Sequence, residues 1–301
     1  MVLLLLAFNK FKTLFKNSIA KILLALICAS CIILIASCKP ISKENQFSSS
    51  MEPKDKYGLN YIIGNLGGKP VNLPGSVVEL VEYDDSPGWD VEKSKTYNPP
   101  PRTYDSIIES FGFDMRYTDG LIREVYHKAP PYSNEAFHAE YNLADSPWIR
   151  IRVGAGFRHY YKNMNVALDN TLKTYPNSLP FHIYKKLPET FYGLQIYAPL
   201  GIDPKTGVAW RKHKDAKDIY VYQDNKGETM TIIRCSNRKV YKQTCSQTFN
   251  LEPEMKVTIS VVYVRGRLKD WQKIQKVAGT AVKQFVVDST TQQSRKNGVK
   301  Q

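Results

Sequence analysis

The feature that most limits this chain stands at its start. An apolar run from Ile22 to Ser37 follows Lys10, Lys12, Lys16 and Lys21, no acidic residue occurs in the first 37 positions, and the run stops at Cys38. Sixteen residues fall short of the roughly 20 that a spanning helix needs, and a positive flank ahead of a short apolar core is the pattern of a secretory signal. The run ends Leu34-Ile35-Ala36-Ser37-Cys38, small side chains before a cysteine, which is the pattern of a bacterial lipobox. Residues 1–37 are therefore expected to be a lipoprotein signal peptide outside the fold, with Cys38 as the acylated N-terminus. An uncleaved signal anchor is the alternative, and Cys31 competes for the lipid although Cys28 stands where a lipobox prefers leucine. Two or three acyl chains hold a protein stably where one does not. Lys39, in place of aspartate, points to the outer membrane and a body facing the periplasm.

Export also decides what the other cysteines can do. Of five in the chain, only Cys235 and Cys245 lie beyond the lipid site. An oxidising compartment permits a bridge, and two strand-like runs flanking a polar turn would bring the thiols together. A disulfide between Cys235 and Cys245 is expected. A zinc site would need two more ligands that no His or Cys cluster supplies, and a catalytic thiol would need a neighbouring base.

The chain carries 42 Lys and Arg against 28 Asp and Glu, a formal charge of +14. Removing 37 residues leaves 264 and takes away four lysines, so the mature charge is +10. Such a balance admits nucleic acid, an anionic surface or an acidic protein as partner. Arg211-Lys212-His213-Lys214, Arg265, Arg267, Tyr160-Tyr161-Lys162 and Tyr184-Lys185-Lys186 offer only a faint version of a nucleic-acid groove. No nucleic-acid partner is expected at the envelope, and the cations read as solvated faces that keep the mature protein near anionic surfaces or steer an acidic partner.

Lys39 to Tyr57 is polar and aperiodic, so 38–57 reads as a flexible tether. Leu59 to Ile63, Val77 to Tyr83, Ile107 to Tyr117, Trp148 to Val153, Phe191 to Tyr197, Ile219 to Tyr222, Met230 to Arg234, Thr248 to Leu251 and Val257 to Val264 read as strands. The glycines at 64, 67 and 68 read as a turn, since no Gly-Lys-Ser/Thr follows. Asp84 to Arg102, with Pro99-Pro100-Pro101, reads as a long surface loop. Val166 to Leu172 is a weak helix, and Leu268, Trp271, Ile274, Ala278, Ala281, Val282 and Phe285 share one face of a stronger one. The expected fold is α+β with a mostly antiparallel sheet and a C-terminal helix packed on it. It is expected as a lobe over 58–128, a linker over 129–147, a second lobe over 148–288 and a disordered tail over 289–301.

No Gly-x-Ser-x-Gly elbow, His-Glu-x-x-His, Walker loop or acidic calcium loop occurs. The five histidines stand in unrelated contexts and read as surface or packing residues, and Gly154-Ala155-Gly156 as a loop that lets strands approach. No catalytic residue, metal, cofactor or small-molecule substrate is expected, and the chain does not read as an enzyme.

Several segments together resemble a group of bacterial lipoproteins encoded beside type VI secretion lipase effectors, the immunity proteins against phospholipases of the third lipase family. They are Gly67 to Pro74, Val81 to Trp89, Ser110 to Tyr117, Tyr192 to Pro199, Cys235 to Arg238, Leu251 to Met255 and Arg267 to Gln275. The resemblance implies a tight binder of a secreted effector, most simply a phospholipase, held at the membrane by its lipid. Asp84, Asp85, Trp89, Tyr97 and Arg102 are the candidate contact residues, because buried aromatics and arginines make hot spots. Trp89 serves equally as a cap on the protein's own sheet. A structural or assembly lipoprotein of the envelope is the other reading.

Overall fold

The structure, a computed structural model, describes residues 53–88, 90–126 and 132–287. The expected signal peptide, Cys38 and the tail over 289–301 lie outside the described residues.

Among the described residues twelve strands pair antiparallel throughout, several of them by period-two alternation. A hairpin of β1 (Ile62–Leu66) and β2 (Lys69–Leu73) stands apart from a ten-stranded sheet. That sheet contains β3 (Glu79–Tyr83), β4 (Ile108–Arg116), β5 (Leu121–Ile122), β6 (Trp148–Gly154), β7 (Tyr184–Phe191) and β8 (Leu194–Pro199). It is completed by β9 (Lys217–Gln223), β10 (Thr229–Ser236), β11 (Thr244–Asn250) and β12 (Thr258–Val264). Its order is β3-β4-β6-β12-β11-β10-β9-β8-β7, with β5 paired to β4. The helices are α1 (Val91–Thr96), α2 (Tyr132–Glu140), α3 (Gly156–His159), α4 (Met164–Leu172) and α5 (Trp271–Lys283). None of the described helices is long and apolar enough to cross a membrane.

Alternation sorts the sheet into two faces. Phe111, Phe113 and Met115 of β4, Ile149, Ile151 and Val153 of β6, and Ile259, Val261 and Tyr263 of β12 join one core cluster. Trp271, Ile274, Ala278, Ala281 and Val282 of α5 belong to the same cluster, and each large side chain buried there contributes about 1.5–3 kcal/mol. Phe285, just past α5, meets Phe111 and Phe113 edge-on at centroid distances of 5.9 and 5.5 Å. The opposite face carries a smaller cluster of Met164 and Leu168 from α4 with Ile219, Val221 and Ile232. Charge is neutralised across strands on that face: Asp114 lies opposite Arg150 in register, accepts its Nε at 2.9 Å and pairs with Arg123 at 3.2 Å.

Several expectations change here. β4 hydrogen-bonds to β6, so one sheet runs through both expected lobes, and the described body falls in one compact unit beginning at Pro53. The expected linker contains α2, and its Phe137 packs edge-on against Trp148 at 5.2 Å. The expected loop over 84–102 contains α1, started by Asp90, whose carboxylate accepts from the amides of Glu92 and Lys93. The end of the expected tether is folded: Asp55 accepts from the amides of Tyr57 and Leu59, and Lys54 bridges to Asn60. Gly67 and Gly68 close the β1–β2 hairpin. Gly67 has φ +57°, and a Cβ on it would come within 2.7 Å of the Lys256 carbonyl.

Candidate functional site: a cation-floored groove with an aromatic rim

Arg102 stacks on the Tyr83 ring at 3.8 Å and forms an ion pair with Asp85 at 2.9 Å. The Tyr97 hydroxyl accepts from Arg102 at 2.7 Å and donates to Asp85 at 3.2 Å. Three of the five candidates, Asp85, Tyr97 and Arg102, are thus brought together, but as one another's partners, fastening the loop to β3. Asp84 is exposed at the loop's start, and Trp89 lies outside the described residues.

A second surface is assembled from segments far apart in sequence. A groove of about 680 Å³ lies between the β7–β8 turn, the β10–β11 loop and the short 3-10 helix Arg265–Asp270 that leads into α5. Its floor is built around Asp218, 1% exposed on β9. Arg211 clasps this carboxylate at 2.8 and 3.1 Å, Arg265 at 2.6 Å and the Asn237 amide at 3.1 Å. Burial alone would push the carboxyl up; the hydrogen bonds from Arg211, Asn237 and Arg265 outweigh it and hold Asp218 below the usual carboxylate range. Two guanidinium groups against one carboxylate leave the floor cationic, while Lys269 and Glu189 offset each other in the lining. Arg211 and Arg265 are therefore structural partners of a buried acid, not members of a solvated cationic face.

The rim is aromatic and exposed. Phe191 is 44% exposed, Tyr192 49%, Val240 49% and Tyr241 77%. Phe191 pairs with Leu194, so Tyr192-Gly193 is a two-residue turn with both φ positive, +53° and +77°. Such a primed turn favours Asn-Gly, and an L-residue with a large side chain there costs about 1 kcal/mol. The Trp271 indole, donating to the Tyr192 carbonyl at 3.1 Å, helps hold the turn. The opposite rim is the loop between Cys235 and Cys245, which face each other in register and are disulfide-bonded. The expected strand over Phe191 to Tyr197 is therefore a strand end, a turn and a second strand. Gly193 was its only sequence signal, masked by a tyrosine where asparagine is usual.

Among the described residues, one group brings three ligand atoms close enough for a cation: Glu82, Glu109 and His159, all within 4.8 Å of one another. His159 Nε2 lies 3.6 Å from Glu82, an ion-pair distance when the ring is protonated. Gly154 admits this histidine, since a Cβ there would fall 2.5 Å from the His159 Cβ. His159 thus stands beside two carboxylates that the sequence places 50 or more positions away.

No family model and no curated protein sequence matches the chain. Among solved structures, an immunity protein of the Stenotrophomonas maltophilia type IV secretion system is similar over 80% of this chain and 100% of its own, at 15% identity and a TM-score of 0.46. The Neisseria meningitidis iron-regulated outer membrane lipoprotein FrpD is similar over 75% of this chain and 92% of its own, at 11% identity and a TM-score of 0.37.

Proposed function

We propose that this chain is a recognition protein that binds and neutralises a secreted antibacterial effector, with the groove between the Tyr192 turn and the disulfide loop as its contact surface. The observation that carries the reading is the pairing of an exposed aromatic rim with a rigid cationic floor. Tyrosines of this kind give large contact area for little lost freedom, and arginines already fixed by Asp218 present charge with little ordering left to do. The complementary ligand is a protein segment that carries an acidic side chain beside an apolar one.

The finer parts of the proposal rest on the sequence. The lipobox pattern ending at Cys38 would tether the protein to the outer membrane, where an incoming effector arrives, and the segment resemblance makes that effector a phospholipase delivered by type VI secretion. Neutralisation is by occupation of the effector and not by turnover.

Periplasmic co-expression with a lipase effector of that class tests the reading: cells carrying this protein should survive, and killing in its presence overturns it. Replacing Tyr192 and Tyr241 together by alanine should weaken effector binding at least tenfold, about 1.4 kcal/mol, with the melting curve retained. Unchanged binding would move the contact away from the groove and back to the loop over 84–102.

A further inference from the structure

On the face of the sheet opposite the groove, α4 leaves a second pocket of about 360 Å³ over β9 and β10. Arg234 and Lys217 line it with Tyr161, Asn170, Thr171 and Tyr184, and no carboxylate is among the lining residues. Arg234 rises from the middle of β10, two positions from Ile232, which packs in the apolar cluster with Met164 and Leu168. Its Nη2 donates to the Thr171 hydroxyl at 2.8 Å, and that hydroxyl donates in turn to the Ala167 carbonyl at 2.7 Å. Thr171 Oγ1 is thereby fixed as an acceptor, and it takes one of the five guanidinium donors.

The contrast with the other arginines decides what this one is for. Arg102, Arg116, Arg123, Arg150, Arg211, Arg265 and Arg267 each reach a carboxylate, while Arg152 and Arg238, with no carboxylate partner among the described residues, lie exposed in water. Among the described residues none pairs with Arg234. Asp218, on the neighbouring strand, is held by Arg211 and Arg265 toward the groove face. A half-buried guanidinium with one neutral partner beside an apolar cluster is incompletely compensated, and an anion entering the pocket would complete it.

We propose that this pocket binds a phosphate-class oxyanion, with Arg234 as the planar fork, Lys217 as the second charge and Tyr184 and Asn170 as neutral donors. A guanidinium matches two phosphate oxygens at once, which an ammonium cannot, while the lysine adds a compact positive charge. The volume stands at the small end of ligand sites, which suits a phosphate ester bearing a short organic group. Two sources share this chemistry, a soluble phosphomonoester and the headgroup of an acidic phospholipid. The inference stands apart from the effector reading, since it uses neither the groove nor the anchor.

Isothermal titration of the full chain with inorganic phosphate, and then with glycerol phosphate, tests it. Saturable one-to-one binding is expected. Arg234→Gln should weaken it about tenfold or more and Lys217→Gln by less, while Arg234→Lys should recover only part of the loss. Lys205→Gln and Lys226→Gln, on distant exposed turns, should leave it unchanged. The phosphate titration is then repeated with phosphatidylcholine vesicles, with and without phosphatidic acid. A loss of phosphate affinity confined to the acidic vesicles and abolished by Arg234→Gln assigns the site to a headgroup; unchanged affinity assigns it to a soluble ester. Absence of saturable binding, or equal binding by a folded Arg234→Gln variant, overturns the proposal.

Discussion

Asp218 shows how much one buried charge settles. It fixes Arg211, Arg265 and Asn237 at once, so one carboxylate orders the whole groove floor. Asp218→Asn keeps the shape but leaves two guanidinium groups without their counter-charge, and urea unfolding should show a loss of about 3–5 kcal/mol. The pH dependence follows from the direction of the shift. The folded carboxyl titrates below its unfolded value of about 3.9, so its stabilisation is fully present above that value and fades as pH falls through the lower folded one. Stability of the parent should drop below about pH 4 more steeply than that of Asp218→Asn, and parallel acid curves would contradict this. None of this clustering can be read from Asp218 as a letter, because Arg211 and Arg265 stand seven and 47 positions away.

At the scale of elements, the strands with clean alternation or β-branched runs were legible, and the short elements were not. β12 and the apolar spacing of α5 announce themselves, since burial on one face selects the residues at that period. α1 buries no residue, so its only sequence mark is the Asp90 cap amid charged residues and prolines. The Tyr192-Gly193 turn is hidden for the opposite reason, since aromatics continue through it as they would in a strand. The disulfide is the element-scale feature that spacing does expose. It closes a ring of about 11 residues, and replacing Cys235 and Cys245 together by serine should remove roughly 3 kcal/mol in the loop-closure picture. Thermal melts of the variant and of the reduced parent should agree; a parent whose melt ignores reductant would show that the bridge carries no stability.

Across the whole molecule, the continuous sheet predicts cooperative behaviour. β4 and β6 lie on either side of the expected linker and share seven register pairs, so the first part of the chain cannot unfold without stripping the second of an interior strand neighbour. Tryptophan fluorescence and far-ultraviolet circular dichroism should give coincident denaturation midpoints, and two separated transitions would restore the two-lobe description. The surplus of positive charge takes on a different meaning at this scale. Much of the arginine charge is internal, bound to carboxylates that the sequence spreads along the chain, and the pocket beneath α4 is lined by Arg234 and Lys217 with no carboxylate.

By itself the sequence determined the properties that depend on near neighbours: the strands that alternate, the amphipathic last helix and a pair of cysteines ten positions apart. The tertiary structure alone decided which strands adjoin and which charges cancel, and so where open surface remains. Strand pairing and ion pairing join residues tens to more than a hundred positions apart, as Trp148 to Arg116 and Arg267 to Asp145 do, and local composition carries no record of those distances.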